Sequence, residues 1–202
     1  PGHASSPTLL AHAQSANGDR EAALASYRRA IDLVRSGRAE STREAALTRF
    51  DRRLEDKDEH SPISVEEIYR SMLWLTESAE DFAGALEVAG EMVSQPELGP
   101  EARAHAHYKR AMAATGLKQH ERAVDYYQQA IAAELAAGVG PEAVLRFNLA
   151  CELAKLGRHE PALEALAEAI RLDDDYADQA RGDDYFAALW DTSAFIRTVA
   201  PW

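Results

Sequence analysis

The sequence predicts an all-α protein, and three observations lead to this fold class. Alanine, the strongest helix former, occurs 40 times among the 202 residues. Glycine and proline, which interrupt helices, together account for only 19 residues. Apolar residues recur at helical spacing, and no segment alternates apolar and polar residues over the length of a strand. We therefore assign helices throughout and no sheet.

Capping residues, prolines and glycines mark the ends of the predicted helices. Ser64 and Glu67 have the spacing of a capping box. Pro100 and Pro141 each follow a glycine and precede a glutamate, which is typical of a helix start. Four glycines follow apolar periodic runs, as helix terminators do: Gly18, Gly116, Gly138 and Gly157. These marks predict helices near 8–16, 19–35, 41–58, 64–78, 80–94, 100–115, 119–137, 141–156 and 159–172, with two or three shorter ones after them.

Four segments of the chain align with one another without gaps, and they cover residues 17–31, 79–93, 117–131 and 156–170. The same small residue recurs in all four, at Ala23, Ala85, Ala123 and Ala162. A small residue at a fixed place lets two helices approach closely, so the alignment predicts recurring helix pairs. The spacings are 62, 38 and 39 residues, and the additional helix near 41–58 accounts for the longest.

These segments resemble the tetratricopeptide repeat family, because they reproduce the A-x3-F element of its second helix. The first-helix element is similar at Leu149-Ala150-x2-Leu153 and Leu10-Ala11-x2-Gln14, and is eroded at Met72-Leu73-x2-Thr76 and Arg110-Ala111-x2-Ala114. The resemblance implies an α-solenoid of antiparallel helix pairs wound into a right-handed superhelix. Its repeats would lie near 8–35, 64–94, 100–137 and 141–172, within a repeat domain spanning 1–172.

After Asp173 the chain becomes acidic and aromatic. Apolar residues in this segment have the spacing of short helix faces, and Asp183 and Asp191 are placed as helix caps. The last repeat of a solenoid needs its exposed apolar face covered. We therefore predict that 173–202 forms a C-terminal capping segment.

Charge and cysteine content exclude several classes of partner and compartment. The formal net charge of −12 repels phosphate backbones and anionic membranes, so neither nucleic acid nor membrane is expected as a partner. One cysteine cannot form an internal disulfide, and no apolar run is long enough to span a bilayer. The first residues, PGHASSPT, lack the regions of a signal peptide. A cytoplasmic location is the expectation.

No motif in the sequence indicates an enzyme, a cofactor or a metal. His105 and His107 are two residues apart on a helix and point in nearly opposite directions. Cys151 lies within a predicted helix and is interpreted as packing. The run Asp173-Asp174-Asp175 lacks the glycine and glutamate of a calcium loop. A catalytic site hidden among Cys151, the histidines and the aspartates is the remaining enzymatic alternative.

The family resemblance also implies a binding groove, since the first helices of such repeats line a concave face. By alignment, the second repeat would present Glu67, Arg70 and Trp74. The third would present His105, Tyr108, Lys109 and Met112, and the fourth Phe147, Asn148, Cys151 and Lys155. Trp74, Tyr108 and Phe147 could equally be core residues. The family's carboxylate clamp is not reproduced, because only Asn148 and Lys155 are suggestive of it, so no chaperone partner is predicted.

The function predicted from these observations is that of a protein–protein interaction module holding a partner peptide or helix in the groove. If so, substituting Arg70 or Trp74 would weaken binding without unfolding the chain. The alternative is a self-associating scaffold, or a regulatory domain of a larger enzyme or transcription-control system. In that case the helix near 41–58 would be the contact of a homodimer.

Overall fold

A computed structural model describes residues 19–36, 64–140 and 142–200 of the chain. These residues are helices, short turns and loops, without strands. They form two compact units, 1–84 and 85–202, and each is described by itself. Some of the predicted features lie outside the described residues: the helices near 8–16 and 41–58, Gly18 and Pro141.

The first unit contains the helices α1 (Arg20–Arg35) and α2 (Val65–Ser78), which pack against each other. Ala23, Tyr27 and Ala30 of α1 are buried, as the repeat alignment predicts. At the start of α2 the predicted capping box is present, because Ser64 and Glu67 exchange hydrogen bonds. Helix α3 (Phe82–Val93) begins at the end of this unit, where Asp81 accepts a 3.0 Å hydrogen bond from the Gly84 N–H.

The second unit contains two further helix pairs. Helix α4 (Pro100–Gly116) packs on α5 (His120–Ala137), and α6 (Ala143–Lys155) packs on α7 (His159–Leu172). Helix α5 also packs on α6, which joins the two pairs. The recurring small residues Ala85, Ala123 and Ala162 are buried, and so are the larger residues four positions later, Ala89, Tyr127 and Leu166.

The C-terminal segment consists of α8 (Asp175–Gly182), a 3-10 turn (Asp184–Phe186) and α9 (Ser193–Thr198). The 3-10 turn packs on α6, and α8 and α9 pack on α7. Phe186, Leu189 and Phe195 enter one core with Phe147 and Leu166 of the preceding helix pair. The segment therefore covers the apolar face of that pair, as predicted. The all-α fold of paired helices is confirmed.

Three details of the helix ends differ from prediction. Gly116 is the last residue of α4 and not its terminator, because the left-handed backbone falls two residues later, at Lys118 (φ 57°). Helix α6 begins at Ala143, later than Pro141, with Glu142 as the N-cap residue. Thr192, not Asp191, caps α9, since its hydroxyl accepts a hydrogen bond from the Phe195 N–H at 3.2 Å. Asp183 caps the 3-10 turn as predicted.

Candidate partner-binding cleft

The groove residues predicted on α2 have different roles in the first unit. Trp74 is 51% exposed, so it is a surface residue and not part of the core. Arg70, four residues earlier on the same helix, is also exposed and pairs with Glu66 at 2.9 Å. The Glu67 carboxylate accepts hydrogen bonds from the main chain and hydroxyl of Ser64, so it is committed to capping α2. Of the three, only Arg70 and Trp74 are therefore accessible on the surface of α2.

The groove residues predicted on α4 are only partly exposed. His105, Tyr108 and Lys109 are half-buried. The Tyr108 ring lies 6.3 Å from the ring of Tyr127 on α5, so it takes part in the packing of that helix pair. Met112 is 39% exposed, which makes it the most accessible of the four.

The groove residues predicted on α6 divide between core and surface. Phe147 is 3% exposed, and its ring lies 4.8 Å from the ring of Tyr176 and 5.9 Å from that of Phe186. It is therefore a core residue, the second of the two alternatives that the sequence left open. Asn148 and Lys155 remain half-buried and accessible from one side.

Residues from α4, α6 and the C-terminal segment line a common cleft of about 290 Å³. Met112, Asn148 and Lys155, three of the predicted groove residues, meet there, and the edge of Phe147 and the side chain of Cys151 contribute to the wall. Within the part of the chain that the structure describes, the Asn148 amide has no hydrogen-bond partner. An amide in this position is free to bond the main chain of a segment lying in the cleft.

A polar cluster at one end of the cleft was not predicted. The Glu152 carboxylate is 2% exposed and contacts two basic side chains: one oxygen lies 2.7 Å from His120 Nδ1, and the other accepts a 2.9 Å bond from Lys155 Nζ. Lys155 Nζ also lies 3.6 Å from the centre of the Tyr185 ring, a cation–π contact. A buried carboxylate is stable only with such partners. His120 lies 32 residues from Glu152 along the chain, so helical spacing does not reveal the pair.

The ionisation of the cleft residues follows from these contacts. Burial lowers the pKa of Lys155, but the hydrogen bond and charge of Glu152 outweigh it, so that this pKa is raised and the ammonium is charged at neutral pH. Burial raises the pKa of the Cys151 thiol. A protonated, buried thiol is a poor nucleophile, which agrees with the interpretation of Cys151 as packing.

A second group of basic and aromatic side chains lies on α4 and α5. The Arg110 guanidinium lies 4.1 Å from the centre of the Tyr126 ring, and Arg122 donates a 3.0 Å hydrogen bond to the Tyr126 hydroxyl. Burial raises the pKa of Tyr126, but the bond from Arg122 and the charge of Arg110 outweigh this effect and lower it. These contacts connect side chains of α4 and α5 on one side of this helix pair.

The acidic run at the start of α8 was considered as a cation site from the sequence. Asp173, Asp174 and Asp175 are all exposed, with carboxylate oxygens within 4.8 Å of one another. The Asp173 carboxylate accepts a 3.1 Å bond from the Asp175 N–H, so it orders the turn into α8. Solvated aspartates at the first turn of a helix are accounted for by the helix dipole alone.

Comparison with known proteins identifies a matching repeat family and a similar fold. The tetratricopeptide repeat family model matches residues 8–34, 104–136 and 143–176. These three matches support the assignment of the chain to the tetratricopeptide repeat family. The second repeat predicted from the sequence, 64–94, is not among the regions that the family model matches. Among solved structures, the crystal structure of MamA is similar with a TM-score of 0.57 and 14% identity, covering 94% of this chain and 88% of that chain. At this identity the likeness concerns the fold alone. No curated protein matches the chain.

Tetratricopeptide repeats are typically scaffolds for protein–protein interaction and typically lack catalytic activity. The repeats therefore support an interaction scaffold as the class of this protein. Within the described ranges, no helix combines the length and apolar character needed to cross a membrane.

Proposed function

We propose that the chain is a protein–protein interaction module that holds a segment of a partner protein in the cleft between α4, α6 and the C-terminal segment. The observation that carries the proposal is the meeting of Met112, Asn148 and Lys155 in that cleft. These residues come from the first helices of two successive repeats, which is where the family resemblance predicts partner contacts. In this proposal 1–172 is the repeat domain, 173–202 its cap, and the cytoplasm its location.

The chemistry of the lining residues suits an extended peptide. Met112 offers an exposed, adaptable apolar side chain, and Asn148 offers a donor and an acceptor to a peptide main chain. Lys155 is held in place by Glu152 and Tyr185, so little side-chain entropy is lost when a partner carbonyl or carboxylate approaches it. Preformed polar contacts beside an apolar anchor are what peptide recognition requires.

The exposed pair on α2 is a separate candidate contact, within the first unit. Trp74 and Arg70 are accessible, and an aromatic ring with an arginine is a frequent combination at interface hot spots. Substituting either residue by alanine should weaken partner binding while leaving the melting temperature close to that of the wild type. A melting temperature lowered as far as by a core deletion would contradict a binding role for these two side chains.

Site-specific photo-crosslinking in lysate of the source cells tests the cleft directly. A benzophenone amino acid replaces Met112 in the cleft, and a matched control replaces Gln128, an exposed residue of α5 that does not line the cleft. We expect a discrete cross-linked partner from position 112 alone, and its yield should fall with Asn148→Ala. Equal cross-linking from both positions would contradict the proposal. Cross-linking of the chain to itself would favour the self-associating scaffold instead.

A further inference from the structure

The C-terminal segment contains a second pocket, of about 530 Å³, which shares no lining residue with the cleft. It lies between the ends of α8 and α9, and its walls are predominantly apolar. They are formed by Arg181, Trp190, Phe195, Ile196, Val199 and Ala200.

Covering the last repeat does not account for the apolar side chains that this pocket exposes. Phe195 and Val199 point into the core beneath it and are nearly inaccessible. Ile196 is 55% exposed and Trp190 36% exposed, although their neighbours already complete the core. The Trp190 indole N–H is directed at the Ala180 carbonyl at 3.4 Å, which holds the ring in place at the pocket wall. A fixed aromatic ring beside an exposed isoleucine forms an apolar surface available to a partner.

The one basic side chain in the pocket wall is already paired. Arg181 donates to the Val199 carbonyl and forms an ion pair with Asp178. Its guanidinium therefore joins α8 to the end of α9 and presents no unpaired positive charge to a ligand. The groups that the pocket wall offers to a ligand are therefore mainly apolar, and its arginine serves to hold α8 to the end of α9.

The segment that forms the pocket is strongly acidic. Residues 173–200 contain seven aspartates against two arginines, a net charge of −5 in a chain of −12. Six of these aspartates are exposed: Asp173, Asp174, Asp175, Asp178, Asp184 and Asp191. Asp178 is bonded to a residue of the pocket wall, and Asp191 directly follows Trp190. An apolar surface on an acidic segment favours a ligand of the opposite charge with an apolar anchor.

We propose that this pocket binds a segment of another protein in which a bulky apolar side chain is flanked by lysine or arginine. The apolar side chain would contact Trp190 and Ile196, and the basic residues would lie near exposed aspartates of the segment, such as Asp191 next to Trp190. The net negative charge of the segment repels nucleic acid and anionic membranes. The site is separate from the cleft, so it does not depend on the function proposed above.

Binding of defined peptides to the full chain, followed by fluorescence anisotropy, tests the proposal. The probe is a labelled twelve-residue peptide with one central Trp-Leu pair flanked by lysines. Two matched peptides replace the apolar pair by serine or the lysines by glutamate. We expect saturable binding of the first peptide alone. Ile196→Ser should weaken it about fivefold, as expected for the loss of one exposed apolar contact.

Further variants of the chain separate the pocket from general attraction to an acidic protein. Asp178→Asn with Asp191→Asn should weaken binding at low salt and reduce its salt dependence. Leu135→Ser removes an exposed leucine on α5, outside the pocket, and Met112→Ser alters the cleft, so both should bind like the wild type. Circular dichroism establishes that each variant is folded.

Several results would overturn the proposal. These are equal binding of the serine-substituted peptide, equal losses from Ile196→Ser and Leu135→Ser, or no binding of the lysine-flanked peptide at millimolar concentration. Dimerisation abolished by Ile196→Ser would assign the pocket to a second copy of the chain and would also overturn it.

Discussion

The helix pairs α4–α5 and α6–α7 have similar geometry but are built from different side chains. All six buried residues of α4 are alanines, whereas α6 buries Leu145, Phe147, Leu149 and Leu153 together with two charged residues. Alanine allows α4 to pack closely on α5, while the large side chains of α6 enter cores shared with the neighbouring helices and the C-terminal segment. The two pairs therefore share their order of helices and differ in the size of the side chains that pack between them.

The turns between the paired helices show the same contrast. The backbone N–H of Gln119 donates to the Ala114 carbonyl, and that of Arg158 donates to the Leu153 carbonyl, each at 2.9 Å. The two turns therefore have the same hydrogen-bond pattern. The left-handed residue within them is Lys118 in one turn and Gly157 in the other. Helix packing evidently imposes this backbone even on a residue with a side chain, at an energetic cost that glycine avoids.

Among substitutions that test the difference between the two helix pairs, the largest loss of stability is expected at Phe147. Phe147→Ala should lower the free energy of unfolding by about 3–5 kcal/mol, because it leaves a cavity against Tyr176 and Phe186. The aligned residue on α4 is Tyr108, which is half-buried, and Tyr108→Ala should cost only about 1–2 kcal/mol. Urea unfolding of both variants gives the two values. Equal losses would contradict the different roles of these rings.

A smaller effect is expected at Glu152, whose aligned residue on α4 is Ala113. Glu152→Ala makes the α6–α7 pair resemble the α4–α5 pair at this position. It should lower the free energy of unfolding by about 2 kcal/mol, because His120 and Lys155 lose their shared carboxylate but are exposed enough to be rehydrated in part. Glu152→Gln, which retains hydrogen bonding, is the matched control and should fall in between. Thermal unfolding that is unchanged in both variants would contradict a stabilising role for the cluster.

Exchanging the left-handed turn residues should shift stability by about 1 kcal/mol in opposite directions. Lys118→Gly relieves the positive φ and should stabilise the chain, while Gly157→Lys introduces the same strain and should destabilise it. Space for a side chain is not limiting at Gly157, since a Cβ there meets no atom within 4 Å. The urea midpoints of both variants provide the measurement. Destabilisation by Lys118→Gly would indicate that the lysine side chain contributes more than its backbone costs.

The smallest expected effect concerns acid sensitivity at His107, which aligns with Arg146 on α6. Burial, and then the charge of Arg110, lower the pKa of His107 below its ordinary value of 6.5. The unfolded chain therefore binds this proton more readily, so the stability from this site is present above pH 6.5 and is lost as pH falls through the lowered pKa. Compared with the wild type, His107→Gln should lose less stability between pH 7.5 and pH 5. Parallel losses in urea unfolding would contradict this assignment.

The sequence predicted most helices correctly because their signals are local. The Ser64 capping box, the left-handed Gly138 and Gly157, and the apolar faces of α7 and the C-terminal segment each depend on residues within one or two turns. Lys118 was missed because a lysine does not signal a left-handed backbone, and the nearby Gly116 suggested the wrong position.

The site was less predictable than the fold, since it depends on which residues meet from different helices. Helical spacing gives the direction of Asn148 and Lys155, but it does not reveal that Phe147 is covered by the aromatic residues of the C-terminal segment. It also does not reveal that Glu152 has its partner on α5. Such contacts are set by the packing of whole helices and not by the periodicity of any one of them.

The junction between α5 and α6 has a consequence for how the chain unfolds. Buried Glu134 on α5 pairs with Arg146 on α6 and also accepts a 3.2 Å bond from the Glu142 N–H. In a repeat protein, cooperativity grows with the strength of the contacts between neighbouring repeats relative to those within each one. A buried ion pair across this boundary links the α4–α5 and α6–α7 pairs, so that neither opens without exposing an unpaired charge. The two repeats and the C-terminal segment should therefore unfold in one cooperative step.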